Sequence, residues 1–174
     1  MDKSIDLKTY IRSIPDWPKK GILFRDITPL LADARVFAAA VDTLSADFIE
    51  SGIEYVAAVE ARGFIFGTAV AQKFGAGFVP IRKKGKLPSR TESITYDLEY
   101  GTDTLQVHTD AVEKGAKVLM VDDLLATGGT MAAACELIEK IGGRIAGIAF
   151  LIELTDLAGR KKLGDYKITS VISY

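Results

Sequence analysis

The apolar positions of this chain fall into short continuous runs separated by helix-patterned stretches, with glycine at many of the changeovers. Residues 55–59, 118–121 and 144–154 are near-continuous apolar runs bounded by turn residues, the pattern of strands buried on both faces. Residues 77–82 form another short strand and 167–172 a terminal one. Residues 33–51 predict a helix with Asp33 as N-cap, Gly52 as stop, and Val36, Phe37, Ala40, Val41, Leu44 and Phe48 on one stripe. Further helices are expected over 64–74, closed by Gly75, and over 131–141. Thr155 is read as the cap of a short helix through 163. Ile5, Leu7, Tyr10, Ile11 and Ile14 recur at helical spacing until Pro15 and Pro18 end the pattern. Residues 21–29, punctuated by Gly and Pro, read as extended chain or loop. Residues 91–100 alternate loosely, and after Gly101 residues 104–109 are strand-like again, which predicts an antiparallel hairpin or flap.

Strands alternating with helices predict an α/β fold with a mainly parallel, doubly wound sheet, built as one domain over 1–174. Ligands in such sheets bind at the carboxyl ends of the strands. Those ends carry residues 60–63, 82–86, 122–130 and 153–155, so the chemistry-bearing stretches converge on one edge.

The 174 residues suit a single core, and a formal net charge of −1 gives no bulk signal for nucleic acid. No apolar run approaches the roughly 20 residues of a membrane span, and the first residues lack a signal-peptide core, so a cytoplasmic protein is expected. Cys135 is the only cysteine, which rules out an intrachain disulfide, and its helical position suits core packing. His108 is also alone, excluding a histidine-based metal cluster.

The richest stretch is residues 117–131, KVLMVDDLLATGGTM. An apolar strand leads into Asp122 and Asp123, then into Ala126, Thr127, Gly128, Gly129 and Thr130, then into a helix. Glycines let backbone N–H groups approach an anion, and the helix N-terminus adds partial positive charge. No GxxxxGK[ST] occurs and no lysine sits in the turn, so this is not a Walker A loop. Carboxylates repel phosphate, so the two acids should face another part of the ligand, such as vicinal hydroxyls or a hydrated Mg²⁺. A ligand with a phosphate at one end and a sugar diol next to it fits that order.

Four other stretches complete the chemistry. Glu60, Ala61, Arg62 and Gly63 form a second strand–turn–helix junction, whose N–H groups and guanidinium suit a diphosphate. Arg82, Lys83, Lys84 and Lys86 make the densest positive charge in the chain; such a run is most often a solvated face, or it could neutralise a strongly anionic substrate. Phe24 beside Arg25 and Asp26 could stack an aromatic base, or could equally be core packing beside a surface ion pair. Asp97, Glu99, Tyr100 and Gly101 at the tip of the flap have the makeup of a lid, or of an ordinary polar turn.

The strand, acid pair and TGGT turn resemble the phosphoribosyl-pyrophosphate (PRPP) motif of type I phosphoribosyltransferases. Taken in order, GILFRDITPLL, ARGFIFG, PIRKKGKLP, YDLEYG, VDDLLATGGT and LIELTDLAGR resemble the adenine phosphoribosyltransferases over nearly the whole chain. The resemblance implies transfer of the phosphoribosyl group from PRPP to adenine, giving AMP and diphosphate with Mg²⁺, by a homodimer without nucleic-acid or membrane partners. It assigns the 5-phosphate to Ala126–Thr130 and the ribose hydroxyls to Asp122 and Asp123, directly or through the metal. Arg62, Arg82, Lys83 and Lys86 would bind the diphosphate, with Arg62 and Arg82 catalytic. Leu23, Phe24 and Arg25 would hold adenine, with Leu154 opposite. Glu99 would be the acid/base at purine N7 or N9, and Tyr100 would help close the lid. Residues 1–32 would be a base-binding hood and 83–109 the basic loop and lid hairpin. The resemblance also suggests a cis Glu60–Ala61 peptide.

One residue bears on the base. Related 6-oxopurine enzymes carry an aspartate just before the TG of the phosphate turn; here that position is Ala126, which tilts the reading from hypoxanthine or guanine to adenine. The alternatives are a phosphoribosyltransferase for another base, such as xanthine or orotate, or a PRPP-sensing regulator without catalysis. A nucleic-acid-binding protein using residues 82–90 is disfavoured by the acidic pI and by the lack of aromatic interleaving there.

Overall fold

The computed structural model describes residues 5–97 and 101–174. The chain divides into two compact units, Met1–Thr43 and Leu44–Tyr174.

In the first unit the helical spacing of residues 5–14 yields only one 3-10 turn, Leu7–Tyr10, capped by the Asp6 carboxylate on the Lys8 N–H at 3.1 Å. Ile11 then turns extended, and β1 (Arg12–Pro15) pairs antiparallel with β2 (Leu23–Asp26), Ile14 opposite Phe24. Non-local pairing wins over a weak local preference. A short helix α1 (Thr28–Ala32) begins with Pro29 in its first turn. Asp33 does cap the next helix, α2 (Ala34–Ala46), accepting from the Arg35 and Val36 N–H groups at 2.9 and 3.3 Å. The α-helix stops short of the expected residue 51, where a 3-10 turn, Ile49–Ser51, intervenes before Gly52.

The second unit is a seven-stranded sheet in the order β5-β6-β4-β3-β7-β8-β9. Its strands are β3 (Tyr55–Val59), β4 (Gly77–Lys83), β5 (Thr91–Asp97), β6 (Thr102–His108), β7 (Lys117–Leu125), β8 (Arg144–Glu153) and β9 (Ile168–Ser173). β4, β3, β7, β8 and β9 run parallel, while β6 and β5 extend the sheet antiparallel as the flap. The α/β, mainly parallel expectation is met.

The central strands are covered on both faces, which is why they read as continuous apolar runs. Val56, Ala57, Ala58, Val118, Leu119, Met120, Val121 and the stretch 148–151 of β8 are all buried. Helix α3 (Arg62–Phe74) packs on β3, β4 and β7, and Gly67 makes that approach possible: a Cβ there would lie 2.7 Å from Ala58 Cβ. Gly75 ends α3 in the left-handed conformation at φ +63°. Helix α4 (Gly129–Lys140) packs over β5, β6 and β8, burying Met131, Ala134, Cys135 and Ile138. Cys135 is packed in the core, and burial, helped by the Glu139 charge, pushes its thiol up to about 12.

Two boundaries move. β7 does not end before the acids but runs through Asp122 and Asp123 to Leu125, because its ladder with β8 continues to Glu153. The helix expected over 155–163 is two 3-10 turns, Thr155–Leu157 and Gly159–Lys162, broken at Ala158, whose φ is +50°. Thr155 does not cap; its hydroxyl donates to the Tyr174 carbonyl at 2.7 Å. Among the described residues no helix is long and apolar enough to cross a membrane.

Candidate active site

The carboxyl ends of β3 and β7 open on a cavity of about 270 Å³ lined by residues 59–62, 122–131 and Phe150. The stretch that carries the acid pair and the phosphate turn therefore shares one space with the arginine turn, which is distant in sequence. This follows from the parallel pairing of β3 with β7, which sets Ala58 beside Val121 and so brings both strand ends to one level.

The phosphate turn leaves β7 after Leu125, and Gly128 stands at the N-cap of α4 with φ +79°. Among the described residues no side chain caps this helix, and its first turn borders the cavity. Gly128 has a second reason to lack a side chain: a Cβ would collide with the Gly159 carbonyl oxygen. Gly159 is equally tight, its own Cβ position colliding with the Ala126 carbonyl. The 3-10 turn Gly159–Lys162 thus buttresses the phosphate turn backbone to backbone.

Asp123 is 4% exposed and its Oδ2 lies 2.8 Å from Arg62 Nε. Asp122 Oδ1 accepts the Asp123 N–H at 2.9 Å. Burial pushes both carboxyls upward; the Asp123 charge adds to the rise at Asp122, while Arg62 works against it at both. Gly63 abuts this pair, since a Cβ there would stand 2.7 Å from Asp122 Oδ1.

The Glu60–Ala61 peptide is cis. Glu60 binds the basic segment to this turn: its carboxylate accepts the Lys83 N–H at 2.6 Å and Arg82 Nη2 at 3.0 Å. Burial raises the Glu60 carboxyl, but the Lys83 N–H, Arg82 and Lys86 outweigh it and hold the group below its ordinary value. Arg82 Nη1 also donates to the Lys86 carbonyl at 3.3 Å, and Lys83 Nζ lies 3.2 Å from Asp103 Oδ2 on β6.

Of the residues singled out from sequence, Asp122, Asp123, Ala126, Thr127, Gly128, Gly129, Thr130 and Arg62 line the cavity together. Arg82 adjoins it through Glu60, whereas Lys83 and Lys86 do not line it. Leu154 sits where β8 ends and donates its N–H to the Leu125 carbonyl at 2.9 Å. Leu23, Phe24 and Arg25 belong to β2 of the first unit, where Phe24 meets Trp17 edge-on at 4.4 Å and Arg25 Nη1 donates to Ser13 Oγ at 2.5 Å. Glu99 and Tyr100 lie outside the described residues. Sequence reading names Glu60 and Gly63 without their contacts and misses two ties: Tyr96 Oη, 3.2 Å from Thr130 Oγ1, and the Glu153–Arg160 pair at the end of β8. The last had a faint signal in the string LIELTDLAGR.

Residues 30–173 match the phosphoribosyl transferase domain family. The adenine phosphoribosyltransferase of Pseudothermotoga lettingae is 54% identical over 170 residues, covering 98% of this chain and 100% of that protein. The chain belongs to the adenine phosphoribosyltransferases. The crystal structure of the family member from Thermoanaerobacter pseudethanolicus superposes with a TM-score of 0.94 at 53% identity, over 97% of this chain and 98% of that one. The Saccharomyces cerevisiae member, 38% identical with a TM-score of 0.91 and 97% of each chain covered, was solved with D-2,5-dideoxy-2,5-imino-altritol 1,6-bisphosphate and adenine.

Proposed function

We propose that this chain transfers the 5-phosphoribosyl group of PRPP to adenine, giving AMP and diphosphate in purine salvage. The observation that carries the reading is the one cavity shared by the phosphate turn, the acid pair and the arginine turn. These are the three contacts that a 5-phosphate, a ribose diol and a diphosphate need, in the order PRPP presents them. The yeast relative, with adenine and an iminoaltritol bisphosphate bound, supports the same substrate pair.

In the reaction the bond from ribose C1 to the diphosphate oxygen breaks, positive charge builds on the ribose, and purine N9 closes on C1. Backbone N–H groups and hydroxyls of Ala126, Thr127, Gly128, Gly129 and Thr130 anchor the phosphate and fix the ribose in line. Asp122 and Asp123 hold the ribose hydroxyls. Arg62 and Arg82 stabilise the departing diphosphate, assisted by Lys83 and Lys86. Leu23, Phe24, Arg25 and Leu154 are assigned to adenine on motif order. Glu99 handles the purine proton at N7 or N9, and Tyr100 helps shield the site.

Among the described residues no cluster of three metal-ligating side chains occurs. Asp122 and Asp123, adjacent carboxylates on the cavity wall, would reach a Mg²⁺ held mainly by substrate oxygens, directly or through water. When bound it would neutralise charge on the diphosphate. The family likeness supports a cytoplasmic homodimer acting on small molecules, without nucleic acid or membrane. Residues 1–174 act as one phosphoribosyltransferase domain, with 1–32 the hood and 83–109 the basic loop and lid.

The test is diphosphate release from PRPP with adenine, hypoxanthine, guanine, xanthine and orotate in turn. Adenine alone should support turnover, and Glu99→Gln should cut that turnover far more than PRPP affinity. Release with guanine at adenine-like efficiency would refute the argument from Ala126, and PRPP binding without release on any base would favour a sensor.

A further inference from the structure

The phosphate turn contains no lysine, yet a cation is built against it from elsewhere. The 3-10 turn Gly159–Lys162 is fixed beneath the phosphate turn by two devices. One is the backbone contact of Gly159 with Ala126 and Gly128. The other is a forked ion pair in which Arg160 Nε and Nη2 each donate to the Glu153 carboxylate at 2.7 Å, at the end of β8. Arg160 also donates to Ser170 Oγ at 3.0 Å and to the Ile168 carbonyl at 3.2 Å, so the turn is tied to β9 as well. Its charge is spent on Glu153. Lys162, the last residue of the same turn, differs. Its Nζ lies 3.8 Å from where a Cβ on Gly129 would stand, beside the first residue of α4, and among the described residues it forms no ion pair. It shares its outer groove with Glu136, Glu139 and Asp165, so acidic groups are near without taking it.

We infer that Lys162 is the cation of the 5-phosphate subsite, held at the turn by the Gly159 contact and the Glu153–Arg160 pair. The inference deepens the proposed function and rests on it, since it takes the TGGT turn as the 5-phosphate site. Lys162 supplies from a distant part of the chain the charge that a Walker loop carries within itself. It binds and does not act on the reacting atoms. Its contribution should therefore appear wherever a 5-phosphate is bound and nowhere else.

The experiment is calorimetric binding of ribose 5-phosphate and of inorganic diphosphate to the full chain, to Lys162→Met, to Lys162→Arg and to Lys161→Met, the neighbouring lysine of the same turn. Lys162→Met should weaken ribose 5-phosphate by about tenfold, the scale of one charge-assisted contact. Diphosphate affinity should be unchanged, Lys162→Arg should restore most of the loss, and Lys161→Met should behave as wild type. Ribose 5-phosphate affinity unchanged in Lys162→Met, or reduced equally in Lys161→Met, overturns the inference while leaving the proposed function standing. Failure of the wild-type chain to bind ribose 5-phosphate overturns both.

Discussion

Tyr96 Oη and Thr130 Oγ1 lie 3.2 Å apart, joining the end of flap strand β5 to the phosphate turn. The Asp97 carbonyl comes close to the same turn, 3.8 Å from the Cβ position of Gly129. Flap strand β5 and the turn proposed to hold the phosphate are therefore linked by a hydrogen bond. Either hydroxyl can donate in this contact, and when Tyr96 donates, the Thr130 hydrogen is left for the phosphate proposed to bind there.

Tyr96→Phe keeps the ring, which packs against the buried core, and removes only this bond. A neutral hydrogen bond contributes about 1 kcal/mol, so the KM for PRPP should rise roughly 3- to 10-fold. Melting should stay within about a degree of wild type. Steady-state kinetics beside a thermal melt separate these outcomes, and a large loss of stability with unaltered KM would make Tyr96 a packing residue only.

Gly63→Ala places a methyl group 2.7 Å from Asp122 Oδ1 and 3.4 Å from the Val121 carbonyl. The carboxylate must move off its position, at an overpacking cost of about 1–3 kcal/mol. Because Asp122 also carries the Asp123 N–H contact, the displacement should reach both acids. PRPP turnover should fall by at least about tenfold, while ribose-free ligands such as diphosphate bind nearly as before. Equal losses for diphosphate and PRPP would show that the cis turn, rather than the acid pair, was disturbed.

How much of this was legible in advance depends on the range of the interactions. Asp33 and Gly75 were readable because a cap and a left-handed stop are local chemistry. The parallel core was readable because strands buried on both faces leave continuous apolar runs. The N-terminal stretch misled because β1 is made by β2, a partner that no periodicity reveals. β7 was read short because the ladder to β8, not side-chain hydropathy, carries it through two aspartates. At the site, residue types were legible and pairings were not. Arg62 looked like a ligand for diphosphate, and only the β3–β7 register brings it to Asp123. Gly159 and Arg160 fell inside an expected short helix, and their roles stayed hidden because their partners lie on other elements.

Arg160→Met tests the buttress under the phosphate turn. The Arg160 guanidinium, bonded to a carboxylate with 9% side-chain exposure, holds Glu153 below the ordinary glutamate range, burial opposing. A depressed folded-state value stabilises the fold above the unfolded-state value and loses that contribution as pH falls through the folded one. The variant should therefore be less stable at pH 7, by about 1–2 kcal/mol given the half-exposed arginine. The gap to wild type should close as pH drops below about 4. Melting curves between pH 3 and pH 8 check this, and a gap independent of pH would assign the effect to Arg160's bonds with Ser170 and Ile168 instead.

Asp122→Asn should separate stability from function. Burial, reinforced by the Asp123 charge, raises the Asp122 carboxyl, so the fold holds this proton to higher pH than the unfolded chain does. The sign is opposite to that of Glu153: ionisation costs stability, the cost growing as pH rises above the unfolded value of about 3.9 and complete above the folded one. Asparagine keeps an oxygen for the Asp123 N–H and removes the charge. Without substrate or Mg²⁺ the variant should melt higher than wild type at pH 8, by about 2–4 °C for each kcal/mol relieved. The advantage should shrink toward pH 4. PRPP turnover should fall about 10- to 100-fold, because the charged acceptor proposed for the ribose hydroxyls has become a neutral one. A lower melting temperature at pH 8 would mean that the ionised carboxylate, with Arg62 near, supports the fold as well as the substrate.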